Sequence, residues 1–126
     1  MNFPENLKYT KEHEWLLVEG NSGKIGITEY AQGELGDVVF VDIDPNTSAI
    51  QSGEAFGTIE AVKTVSDIYA PVNGKVIEIN KALSDSPELI NSDPYGAGWM
   101  VKIEISNPAE VSNLLDSNAY KALIAQ

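Results

Sequence analysis

The chain has 126 residues and a mass of 13.6 kDa, with 19 acidic side chains against 8 basic ones and a formal charge of -11. All the cations are lysine, cysteine is absent, and histidine occurs once, as His13. An acidic chain without clustered cations argues against nucleic acid and against an anionic membrane face. The missing cysteines exclude zinc fingers, iron–sulfur clusters, thiol nucleophiles and disulfides, and no metal site is expected.

An apolar fraction of 43% suits a folded protein rather than an acidic tail, and the length fits a single domain over residues 1–126. No apolar run could span a bilayer. The N-terminal MNFPENLKYTKEHEW has neither a signal peptide's apolar core nor the Arg-rich character of an organelle presequence. A cytoplasmic protein is expected.

In chain order, His13–Glu19 and Lys24–Ile27 flank Gly20-Asn21-Ser22-Gly23, the pattern of a β-hairpin. Thr28 can cap a short helix through Glu29–Gln32, which Gly33 and Gly36 should stop. Asp37–Asp42 (DVVFVD) predicts a strand, and Pro45–Gly53 a loop. Two more strand-like runs, Ala55–Glu60 and Val65–Tyr69, flank Ala61-Val62-Lys63-Thr64. After a turn at Ala70–Gly74, Lys75–Asn80 alternates as a strand should. Lys81–Gly98 reads as a long connection with one helical turn, and Trp99–Ile105 as a strand. From Pro108 the apolar residues Val111, Leu114, Leu115, Leu123 and Ile124 fall at helical spacing, with Asp116 or Ser117 as a cap. The class is mostly β, closed as a sandwich or barrel, with peripheral short helices and a C-terminal helix.

Catalytic constellations are missing. His13 stands between Glu12 and Glu14 without a nucleophile elbow, and reads as a surface or cap histidine. Gly53-x3-Gly57 and Gly33-x2-Gly36 lack the spacing and the Lys-Ser/Thr of a phosphate loop. Carboxylate pairs carry little information in so acidic a chain. Lys63 differs: it sits between two β-prone runs, where a tight turn would hold a long stem and a modifiable amine in solvent.

Glu60-Ala61-Val62-Lys63-Thr64-Val65-Ser66-Asp67 followed by Ala70-Pro71-Val72-Asn73-Gly74-Lys75-Val76 resembles the attachment segment of lipoyl-bearing domains. With His13-Glu14-Trp15, Gly26-Ile27-Thr28, Leu35-Gly36-Asp37, Pro87–Asn91, Asp93–Gly96 and Gly98-Trp99-Met100, the chain resembles the H proteins of the glycine cleavage system from about residue 9 to 105. Two places depart from the family pattern: Pro45–Ser52, and Ala61 where serine is common.

The resemblance implies a lipoyl/biotinyl-type barrel-sandwich hybrid and a carrier rather than an enzyme. Lys63 would bear lipoic acid as an amide, on a neutral arm reaching on the order of a dozen ångströms. The implied partners are a pyridoxal-phosphate glycine decarboxylase, which loads the aminomethyl group, and a tetrahydrofolate-dependent aminomethyltransferase, which removes it. A flavin- and NAD-dependent dihydrolipoyl dehydrogenase would reoxidise the dithiol, and a lipoylating enzyme would install it. A monomer is expected. The loaded, cationic arm should fold into a cleft, with Glu14 and Asp67 as candidate carboxylates; Glu60 and Gly74 are candidates for recognition by the lipoylating enzyme. The charge of -11 would steer encounters with partners. Other readings are a lipoyl domain of a 2-oxo acid dehydrogenase, disfavoured by Val62 where those carry an acid, and a biotin carrier, disfavoured by Val62 and Thr64 where those carry methionine. An H-like lipoate donor, or a β-sandwich module with an unmodified Lys63, also stays open.

Overall fold

The computed structural model describes residues 1–125. Nine strands form two sheets. The larger contains β1 (Lys8–Tyr9), β2 (Glu14–Glu19), β3 (Ser22–Ile27), β5 (Ala49–Ile50), β8 (Gly74–Ile79) and β9 (Val101–Ile105), in the order β1-β2-β3-β9-β8-β5. The smaller has β4 (Val38–Asp42), β6 (Ala55–Ala61) and β7 (Val65–Tyr69), in the order β4-β6-β7. All strand pairings are antiparallel.

Alternation sets what is buried. In β9, Val101, Ile103 and Ile105 point into a core with Leu16, Ile25 and Val72, while Lys102 and Glu104 face outward. A second core, around Ile27, Val38, Ile59, Ile68 and Met100, backs the small sheet. A third is aromatic: Tyr9 and Tyr120 stack at 4.8 Å between ring centroids, with Phe3 and Trp15 in the same cluster.

The helices are short and capped. In α1 (Glu29–Leu35) the Thr28 hydroxyl accepts from Ala31 N–H at 3.1 Å. The helix runs through Gly33 and stops only at Gly36, because Gly33 adopts helical geometry at modest cost whereas Gly36 turns left-handed at φ 79°. In α4 (Ser117–Leu123) Asp116 is the cap, accepting from Ala119 N–H at 2.7 Å; Ser117 instead donates to the Phe3 carbonyl.

Other segments depart from the sequence expectation. The expected loop at 45–53 contains β5, which pairs with β8. The connection 81–98 holds two helical turns, α2 (Ala82–Asp85) and α3 (Leu89–Ser92). The C-terminal apolar spacing is not one helix: a 3-10 turn at Pro108–Asn113 ends before Leu115, whose N–H and C=O pair with those of Tyr9 at 2.9 and 2.8 Å. That bridge takes the backbone groups a continuous helix would need. Among the described residues, no helix is long and apolar enough to cross a membrane.

Candidate functional site

Lys63 lies at the end of the β6–β7 hairpin. The last cross-strand pair is Glu60–Val65, after which Ala61 N–H donates to the Thr64 carbonyl at 2.8 Å. Val62, Lys63 and Thr64 are all exposed. The turn is tied to the segment between α1 and β4 by Val62 N–H donating to the Asp37 carbonyl at 2.9 Å. The lysine stem passes over Gly36, where a Cβ would stand 3.4–3.5 Å from its Cγ, Cδ and Cε. Asn91 holds this floor in place. Its amide donates to the Gly36 carbonyl and to Gln32 Oε1, both at 2.9 Å, and its Oδ1 accepts from Val38 N–H at 2.8 Å.

Next to the floor opens a cavity of about 260 Å³, between α1 and the free edge of β7. Tyr30, Glu34 and Leu35 line one side, Asp67 and Ile68 the other, and His13 closes one end. His13 holds a left-handed backbone (φ 72°), and its carbonyl accepts from Thr28 N–H at 3.0 Å. Its Nδ1 is 2.8 Å from the Tyr120 hydroxyl, which is 2.8 Å from the Thr28 hydroxyl that caps α1. Burial lowers the His13 pKa against the opposing pull of Glu12 and Glu34, and pushes that of Tyr120 up to about 12. A neutral imidazole whose Nδ1 accepts from the phenol fits this chain of bonds.

Glu14, 1% exposed, lies at a neighbouring cavity of similar size with Thr10, Ser52 and Tyr69. Its Oε1 accepts from the Thr10 hydroxyl at 2.6 Å and its Oε2 from Tyr69 N–H at 3.3 Å. Burial raises its pKa to about 7, although both hydrogen bonds oppose that shift. The two carboxylates named from the sequence therefore line different cavities, with residues 67–69 of β7 between them. Glu60 is exposed on the attachment hairpin. Gly74 is buried at the start of β8, where a Cβ would meet the Ile103 side chain and the Glu104 carbonyl.

Sequence reasoning missed Gly36 and Asn91 under the lysine, and Tyr30, Glu34 and His13 around the cavity. A signal existed for two of them: Tyr30 and Glu34 are four apart, on one face of a capped helix. His13 and Tyr120 are 107 residues apart, and no local pattern joins them.

The β6–β7 turn leaves room for an acylated amine. Lys63 is exposed, and its Nζ has no hydrogen-bond partner among the described residues. Its stem lies against Gly36, the residue after Leu35, which lines the acid-rimmed cavity.

Residues 7–126 match the family model described as Glycine cleavage H-protein. A glycine cleavage system H protein from Symbiobacterium thermophilum is 59% identical over 121 residues, covering 96% of this chain and 94% of that protein. One from Bacteroides fragilis is 55% identical over 124 residues, 98% of each. The crystal structure of a glycine cleavage system H protein from Mycobacterium marinum superposes with a TM-score of 0.88 at 36% identity, covering 98% of this chain and 100% of that one.

Proposed function

The chain belongs to the glycine cleavage H-protein family, and from that premise we propose that Lys63 is the residue on which it bears lipoate. The protein is a lipoyl carrier of the glycine cleavage system and not itself an enzyme. It works with the other proteins of that system. The decarboxylase, the aminomethyltransferase and the dihydrolipoyl dehydrogenase are the partners we assign, with a lipoylating enzyme upstream. Residues 1–126 act as one monomeric carrier domain in the cytoplasm.

When bound, the lipoyl group would supply a disulfide that can open to take an aminomethyl group on one sulfur, and that is left as a dithiol when the group departs. The chain's own residues do the rest. The β6–β7 turn presents the amine, Gly36 leaves room for the stem, and Asn91 keeps that floor rigid. Asp67 and Glu34, at the cavity beside the turn, offer negative charge to a cationic load, and the Ile27–Leu35–Ile68 side of that cavity excludes water. Glu14 adds a carboxylate from behind Tyr69. Tethering makes each transfer local, at high effective concentration. Glu60 stands where an approaching lipoylating enzyme can read it; Gly74 acts only through the packing of β8 on Ile103.

The observation that carries this reading is an exposed, unpartnered amine at a turn held rigid from below. The test is intact mass after expression with lipoate. The wild type should gain one lipoyl group, mapped to Lys63, and Lys63→Arg should gain none and support no glycine cleavage. Modification elsewhere, or cleavage by the arginine variant, would overturn it.

A further inference from the structure

The outward face of the small sheet has an unusual composition. Phe40, Glu60 and Val65 are cross-strand partners on β4, β6 and β7, so their side chains stand in one row on the same face. Phe40 is 48% and Val65 60% exposed, and Val62 at the adjoining turn is 71% exposed. Val39, the extra residue where the β4 register shifts, is exposed beside them. Half the large apolar side chains that the chain leaves in solvent thus gather around one lysine.

The next row is polar: Asp42, Thr58 and Asp67. Between residues 37 and 69, Lys63 is the only cation, against Asp37, Asp42, Asp44, Glu54, Glu60 and Asp67. Lys8, Lys24, Lys75 and Lys102 all lie on strands of the other sheet. Exposed apolar side chains beside charges of one sign mark protein contacts; here Phe40 and Val65 flank the Glu60 carboxylate, and Asp42 and Asp67 follow in the next row.

We propose that the Phe40–Val65–Val62 patch is the docking surface for the enzyme that acylates Lys63, an enzyme offering apolar contacts to Phe40, Val65 and Val62 with an Arg or Lys between them for Glu60. The proposal rests on Lys63 being the lipoylated residue and adds the partner's recognition chemistry.

Reach is the reason for choosing this partner. In the acylation step the Lys63 amine attacks the acyl carbon of a lipoyl adenylate. The C–N bond forms, the adenylate leaves, and the amine gives up a proton. An enzyme doing this must close around Nζ, which brings its surface against the side chains at the foot of the lysine. Enzymes that act on the dithiol meet it on the order of a dozen ångströms further out, and need no contact with Phe40 or Val65. The acidic side chains would hasten encounter with a basic partner and lose force in salt.

The test uses apo-protein with a lipoate–protein ligase, lipoate and ATP, with lipoylation followed by intact mass. Phe40→Ser and the double variant Phe40→Ser/Val65→Ser should lower kcat/KM by about tenfold or more, chiefly through KM, with melting curves close to wild type. Ile77→Ser removes an exposed aliphatic side chain from β8 and should change nothing. Each variant, driven to full lipoylation with excess ligase, should be reduced by dihydrolipoyl dehydrogenase at the wild-type rate. An unchanged kcat/KM in the double variant, or an equal loss with Ile77→Ser, would overturn the patch. An equal loss with the dehydrogenase would overturn the assignment to the acylating enzyme. A wild-type chain that takes no lipoyl group under these conditions would instead refute the role of Lys63.

Discussion

The β2–β3 and β6–β7 hairpins reverse direction by different means. The first bends through Gly20 and Asn21, between the paired residues Glu19 and Ser22. Gly20 takes the left-handed conformation (φ 64°), and the Ser22 hydroxyl donates to the Glu19 carbonyl at 2.9 Å. The second bends through Val62, Lys63 and Thr64, none of which is left-handed, although tight hairpins favour left-handed turn residues that match the strand twist. This turn is held from outside, by Asp37 on Val62, Gly36 under Lys63 and Asn91 behind both. A turn closed by its own residues needs Gly and Asn at its tip. One whose own Ala61–Thr64 bond is backed by its neighbours is free to display Val and Lys, as the modification proposed for Lys63 would require.

The two hairpins meet at Glu14, the first residue of β2, which accepts from Tyr69 N–H at the end of β7. Charging that joint should have the largest effect, because burial disfavours the ionised Glu14 by more than its two hydrogen bonds offset. Burial lifts the Glu14 pKa from its ordinary 4.5 to about 7, so the folded chain holds this proton more tightly than the unfolded one. The contribution is complete below pH 4.5, falls as pH rises toward 7, and is level above. At ~1.36 kcal/mol per pKa unit the fall is about 3 kcal/mol. Urea denaturation between pH 4 and 8 should show the wild type losing this stability relative to Glu14→Gln, a difference from which the opposite contribution of His13, present in both, cancels. A constant difference between the two across that range would mean that Glu14 titrates normally.

The next effect separates the two turns. Asn91→Ala strands the Val38 N–H and removes both donors that hold Gly36 and Gln32, at a cost of about 1–3 kcal/mol. Amide exchange at Val62, whose partner Asp37 lies in the segment Asn91 holds, should speed up, while exchange at Ser22 in the other turn should keep its wild-type rate. Equal acceleration at both would show global destabilisation and erase the contrast.

The same contrast explains what could be read from the chain alone. Gly20-Asn21 announces its hairpin through local turn chemistry, and Thr28 and Asp116 announce their helices through cap chemistry. Alternation gave β8, β-branched composition gave β4 and turn residues gave β2 and β3, whereas β5, which brings Ile50 into the first core, reads as loop. Lys63 was locatable because two β-prone runs bracket it and because its surrounding residues resemble a known attachment segment; nothing local in Val62-Lys63 specifies a turn. Gly36, Asn91 and Tyr120 act by contacts across 27, 55 and 107 residues, beyond the range of any periodic signal. The helical spacing of Val111, Leu114 and Leu115 misled for the same reason: pairing with Tyr9 outweighed a local preference.

The smallest effect is the sharpest discriminator, because it makes one chemical change in both turns. Gly20→Ala forces a Cβ onto a left-handed residue in open space, where no heavy atom lies within 4 Å. The cost is backbone strain alone, about 1–2 kcal/mol. Gly36→Ala, at φ 79° and ψ -160°, places a Cβ in a region that is essentially reserved for glycine, and also sets a methyl 3.4 Å from Lys63 Cε. The stem is flexible and can shift, so the added loss comes from the backbone, and stability should fall further than in Gly20→Ala, by up to about 3 kcal/mol. Only Gly36→Ala should slow acylation of Lys63, roughly threefold, because only there does the methyl meet the lysine. Slower lipoylation in Gly36→Ala alone, measured at a temperature where both variants are fully folded, would locate the presentation of the amine in the floor beneath it. If Gly20→Ala slowed the reaction as much, overall stability rather than that floor would govern it.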